Sequence, residues 1–166
     1  MSKVKYPAVF FLVIVIISLL LPVFYYKSLP ATVASHFNIR NNADSWMNRE
    51  SFLIVQLVAI TFLSVTFFLT SFLLPRLPKS LINLPNKDYW LSEERKNETF
   101  SILKRFSFWL GSLTLMLINL VFQDVYNANI VGSNKISSSI WIYLAAYLIV
   151  TGFLLFKLIT YFTKHD

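Results

Sequence analysis

The sequence predicts an all-α integral membrane bundle of four transmembrane helices, the third extended into the cytoplasm. Three observations carry that prediction. Hydrophobic residues make up 56% of the 166 and charged residues only 14%, with a mean hydropathy of +0.60, which is the composition of a membrane protein. Four apolar runs, at 7–26, 52–74, 106–125 and 140–162, are each long enough to cross about 30 Å of hydrocarbon at about 1.5 Å per residue. The Lys and Arg residues lie beside these runs and not along a soluble stripe, so the net charge of +7 indicates contact with a lipid bilayer and no nucleic-acid partner. The chain is expected to be a single membrane domain, 1–166.

The first run carries no charge and follows Lys3 and Lys5. Such a start also opens a secretory signal, with Thr32-Val33-Ala34 as a cleavage site. The run exceeds a signal core in length, however, and Tyr25, Tyr26 and Lys27 separate it from that site, so an uncleaved anchor is expected. The second run is stopped by Pro75 and Pro78. Its Gln56, Thr61, Ser64, Thr66, Thr70 and Ser71 fit either a polar pathway or helix packing with hydroxyls bonded back to the backbone, and the second reading is preferred.

The connection 75–105 is the most charged part of the chain. Ser92, followed by Glu93 and Glu94, predicts a capped helix start, with nothing to break that helix through Lys104 and Arg105 into the third run. Gly111, Ser112 and Asn119 fall near one face of this helix and suit burial against a neighbour. Gln123, Asp124 and Asn127 lie at its end, before a polar connection 126–139 with Gly132 and Asn134 as turn residues. In the fourth run, Trp141, Tyr143 and Tyr161 mark interfaces. Ala145 and Gly152 form either a close-packing seam or a chance pair of small residues.

All Lys and Arg residues except Lys27, Arg40, Arg49 and Lys135 belong to the N-terminus, the 75–105 connection and the C-terminal end. By the positive-inside rule both termini and that connection are cytoplasmic, while the loops 27–51 and 126–139 face outward. The sequon Asn97-Glu98-Thr99 then lies in the cytoplasm and is not glycosylated.

The outward loop 27–51 gathers the chemistry. Ser28, Pro30, Val33 and Phe37 permit a short interfacial helix with a proline at its first position. His36 carries an imidazole able to bind a metal, move a proton or sense pH, and Asp44, Asn38 and Asn42 offer oxygens. One His and one Asp do not make a ligand set, so hydrogen bonding that ties down the loop is preferred to catalysis or metal binding. His165 is a tail residue without an evident role. Without cysteine there is no disulfide, thiolate nucleophile or Cys-ligated metal. Nucleophile-elbow, zincin, P-loop and dinucleotide patterns are also missing. No catalytic residue, metal or cofactor is assigned.

Tyr26-x-x-Leu29-Pro30, then His36-Phe37-Asn38, then Asp44-x-Trp46, set between the first two membrane runs, resembles the signature of domain-of-unknown-function family 1648. That bacterial membrane domain occurs alone or in front of immunity proteins of the SdpI type. The block Asn83-Leu84-Pro85-Asn86-Lys87 with Tyr89-Trp90-Leu91 resembles a segment of the stand-alone members. The chain departs from the pattern at Ala34, where a proline is expected, and at Asn42, where a glycine is expected; an asparagine can take the positive φ of that glycine.

The resemblance implies a multi-pass protein of the bacterial plasma membrane, tied to toxin immunity or envelope signalling. A polar, aromatic loop held at the interface, with no catalytic set, favours a binding or sensing module whose outward loop engages a membrane or envelope protein through Leu29, Pro30, His36, Phe37, Asn38, Asp44 and Trp46. Two alternatives stay open. One is a small transporter subunit or metal-dependent membrane enzyme in which His36, Asp44 and Asp124 converge. The other is a structural assembly partner that packs through Gly111, Ser112 and Gly152. Oligomeric state is left open.

Overall fold

The computed structural model describes residues 2–164. His165 lies outside the described residues, as does the side chain of Lys3. The elements run α1 (Ser2–Tyr26), β1 (Thr32–Phe37), β2 (Ala43–Asn48), α2 (Arg49–Leu73), two single 3-10 turns (Leu74–Arg76 and Lys79–Leu81), α3 (Lys87–Trp90), α4 (Lys96–Val131) and α5 (Ser139–Thr163). Four of the helices are long and apolar enough to cross a membrane, so the chain is a multi-pass membrane protein in contact with the bilayer. Among the described residues, the fold departs from all-α in a small antiparallel hairpin between α1 and α2, with a single bridge from Asn42 to Lys135 beside it.

The long helix α4 is the axis of the bundle, and α1, α2 and α5 each pack on it. Gly111 lies where α1 and α2 both press against α4. A Cβ there would fall 2.8 Å from Phe11 Cε2 and 2.8 Å from Phe67 Cγ. Phe11, Ile60, Phe108 and Leu115 fill the core around it, with Phe11 and Phe108 rings 5.5 Å apart. Lower on the same face, Asn119 Nδ2 donates to Ser18 Oγ at 2.9 Å. The polar face expected of this helix is therefore its buried one, and Gly111 and Ser112 are used within the chain, out of reach of a second copy. Gly152 is different, for a Cβ there meets nothing within 4 Å, so the Ala145/Gly152 seam is not formed inside the bundle.

The hydroxyls of α2 turn onto their own helix. Ser64, Thr66, Thr70 and Ser71 each donate to the carbonyl four residues earlier, at 2.7 to 3.0 Å. That satisfies them without lining a pathway.

At the end of the bundle that holds Val4, the 75–105 connection forms a cap over α5. Asn86 adopts the left-handed conformation (φ 52°), which opens α3, and its Nδ2 donates to the carbonyls of Phe162 (3.2 Å) and Thr163 (3.4 Å). Trp90 is buried, and its Nε1 donates to the Phe162 carbonyl at 2.9 Å. The last carbonyls of a helix have no partner within it, and here two side chains supply one. Tyr89 packs edge-on against Trp90 at 5.1 Å, under the Arg95 guanidinium. Thr99 of α4 donates to the Trp90 carbonyl at 2.8 Å, which ties this cap to the central helix. Asn83, Leu84 and Pro85 lead into it without regular structure, Pro85 already in the turn before α3. Replacing Trp90 with Phe keeps most of the packing and deletes one buried donor. A loss of about 1 kcal/mol, seen as a melting point lowered by a few degrees, is expected.

Both ends of α4 correct the sequence reading. The helix begins at Lys96, not at Ser92, because Trp90 and Leu91 are buried and the chain must turn before it can enter α4. Ser92 contributes its carbonyl to that turn, accepting from the amides of Arg95 and Lys96. Glu93 pairs with Lys96 at 2.5 Å, and this hydrogen bond holds its carboxyl below the ordinary value. At the far end the helix continues past Val125 to Val131 and stops at Gly132, whose φ of 70° suits glycine. Tyr126 and Asn129 look like loop residues in the sequence, but the hairpin buries them.

Candidate functional site

The stretch expected to form an interfacial helix is instead strand β1. Thr32 and Val33 are β-branched, and residues 43–48 offer a partner strand across a short turn. The turn is built by Asn38, whose Oδ1 accepts from the amides of Arg40 (2.9 Å) and Asn42 (3.1 Å). Positive φ is taken by Asn41 (63°), one residue before the position expected for it. The register slips on both sides of His36, which pairs with Ser45, while Ala34 pairs with Trp46 and Phe37 with Ala43. Such bulges re-aim side chains. Here the Nδ1 of His36 meets the Oδ1 of Asp44.

Four attachments hold the hairpin. Asn129 of α4 reads the free edge of β1 as another strand would. Its Oδ1 accepts from the Ala34 amide at 2.7 Å, and its Nδ2 donates to the Ala34 carbonyl at 3.0 Å and to Val125 at 2.9 Å. A proline at position 34, the residue expected there, could not donate that amide, so the alanine coincides with a bond that needs its N–H. The other edge is covered by the connection after α4, where Ala43 donates to Asn134 (2.8 Å) and Ile136 donates to Asn41 (3.0 Å). At the base, Arg49 donates through Nη1 to the Leu29 carbonyl at 3.2 Å and lies over the Tyr26 ring at 4.6 Å. Asn48 caps α2 by accepting from Ser51 at 2.7 Å, so strand passes directly into helix.

The fourth attachment is apolar. Val33 and Leu29 are buried with Phe52, Val125, Tyr126 and Ile136, and Phe37 packs on them. Tyr126 stacks on Tyr25 at 4.6 Å and donates to Gln56 Oε1 at 3.0 Å, and Gln123 donates to the Tyr25 hydroxyl. This core lies directly beneath the hairpin.

The hairpin therefore splits its predicted residues into two groups. Leu29, Phe37 and Asn38 build and seat it. His36, Asp44 and Trp46 stand on its exposed side, with side-chain exposures of 68% for His36 and 42% for Asp44. Pro30 is exposed at the base, and Ile39 is 82% exposed at the tip. Asp124 does not join them in a metal-binding group. Among the described residues, no three His, Asp or Glu side chains lie close enough to hold an ion. Asn129 and Arg49 escaped the sequence reading. Arg49 could have been found as a cation three residues before an apolar run, whereas nothing local singles out Asn129.

Residues 13–62 match a family described as a domain of unknown function, DUF1648, so this stretch is a DUF1648 domain. It covers the second half of α1, the whole hairpin and the first half of α2. The Asn86 and Trp90 cap lies outside it. No curated protein and no solved structure matches the chain.

Proposed function

We propose that the DUF1648 domain of this chain is a recognition module of a bacterial plasma membrane, its hairpin facing outward and engaging a membrane or envelope protein, as an immunity or sensing component does. The observation that carries this reading is a hairpin held at both edges, at its base and on its inner face, which presents Trp46 and the His36–Asp44 pair on the remaining side and Ile39 at the tip to solvent. Exposed aromatic residues on a rigid support are what binding hot spots are made of, and rigidity lowers the entropy lost on association. The charge distribution supports the orientation, because most basic residues belong to the opposite end of the bundle. With Nδ1 engaged by Asp44, His36 turns its other ring nitrogen to a partner as a hydrogen-bonding group of defined direction.

The test uses the absence of cysteine. Ile39→Cys supplies a single thiol at the tip, and a membrane-impermeant maleimide is expected to label it in intact cells; labelling only after permeabilisation would refute the orientation. A photo-crosslinker at the same position is then expected to capture a protein partner. Trp46→Ala, or His36→Ala with Asp44→Ala, should reduce the yield about tenfold, as loss of a hot spot of about 1.4 kcal/mol or more does. Undiminished capture by both variants would rule the reading out.

A further inference from the structure

Between α4 and α5, at the end opposite the hairpin, lies a groove of about 550 Å³ that the hairpin's role does not involve. One wall carries Arg105 and the other Lys157. Arg105 directly precedes the apolar run that begins at Phe106, and Lys157 is the single charged residue of α5. Both cations thus stand where hydrocarbon gives way to headgroups. The Nε of Arg105 is buried without a hydrogen-bond partner, and the Nζ of Lys157 lies 4.5 Å from the ring of Phe153, one turn back on α5. Below them the walls are apolar, with Trp109 and Leu154 among the lining residues. Glu98 is the one acid of the lining, and it accepts a bond from Tyr161 at 3.4 Å, so the mouth keeps a positive balance.

We infer that this groove binds one anionic phospholipid, its phosphate held between Arg105 and Lys157 and an acyl chain laid along Trp109 and Leu154. A basic pocket between membrane helices at headgroup depth is suited to such a lipid, because a phosphate there would meet the buried, unpartnered Arg105 Nε and the Lys157 ammonium together. The apolar walls distinguish it from a site for a free anion. A zwitterionic lipid offers the same chain and no net charge.

The experiment titrates the delipidated full-length protein in detergent with phosphatidylglycerol and with phosphatidylcholine of identical chains, counting bound lipids by native mass spectrometry. Phosphatidylglycerol is expected to bind more tightly, and Arg105→Gln and Lys157→Gln should each weaken it about fivefold. Lys104→Gln should change nothing, since Lys104 points toward Phe72 of α2. Equal binding of the two lipids by the unaltered protein would overturn the inference. So would displacement of phosphatidylglycerol by millimolar inorganic phosphate, which would mark an ion site. Should Arg105→Gln lose helix content by circular dichroism, Lys157→Gln, at an exposed position, decides alone; unchanged selectivity there refutes the site.

Discussion

Replacing Gly111 with leucine is expected to prevent the bundle from closing, with a loss of about 3 kcal/mol or more. At this position a single Cβ already falls within 2.8 Å of Phe11 and Phe67, and one of the Phe67 atoms involved is its own Cβ, at 3.0 Å, which cannot swing aside without its backbone. Alanine would recover about 1 kcal/mol in helix propensity and still overpack the junction, so it should lie between glycine and leucine. Gly152→Leu is the matched control. It makes the same change in a helix of similar character, where a Cβ meets nothing, and should stay within about 0.5 kcal/mol of the starting protein. Thermal unfolding in one detergent compares all three variants, and equal effects at 111 and 152 would show that the close approach of α1 and α2 to α4 is wrong.

Asn129→Ala is the second large change. It removes one acceptor and one shared donor, leaving the Ala34 amide and carbonyl inside the protein without partners. Each buried orphan costs about 1–3 kcal/mol, so a total of about 2–6 kcal/mol is expected. The loss should be local first. Hydrogen exchange at the Ala34 amide is expected to accelerate strongly, while the amides of Phe108 and Leu115, in the core around Gly111, change little. Asn129→Asp should fare no better, because a carboxylate accepts from the Ala34 amide yet faces two carbonyl oxygens where the amide nitrogen donated. Asn127→Ala, at an exposed position, provides the control, and slow Ala34 exchange in Asn129→Ala would remove the anchor from the account.

The four long helices were legible because a bilayer admits few solutions, and an apolar run of that length with at most one charge has one dominant use. Their ends were less so. Tyr126 and Asn129 are polar enough to suggest a loop, and only the hairpin lying over them keeps them in the helix. The hairpin itself was hidden by its own bulges, which break the alternation that marks a strand between Ala34 and Phe37. His36 and Asp44 could be paired from sequence, being eight residues apart in one loop. Asn129 could not, since it reaches Ala34 across 95 residues and its contact depends on how α4 lies against α1 and α2. Asn86 and Trp90 were visible as a pattern, but their work as a cap on α5 needed the position of Phe162.

One helix holds both of these fastenings. Asn129 is bonded to the hairpin and Thr99 to the Trp90 cap, thirty positions apart on α4, a span of about 45 Å without a proline between them. A helix of that kind is stiff along its axis, so the two fastenings share one displacement. A displacement of α4 along its axis therefore moves Asn129 under the hairpin and Thr99 under the cap together. Mechanically, α4 is a rod through the bundle, and what grips it at one end is felt as slack or strain at the other.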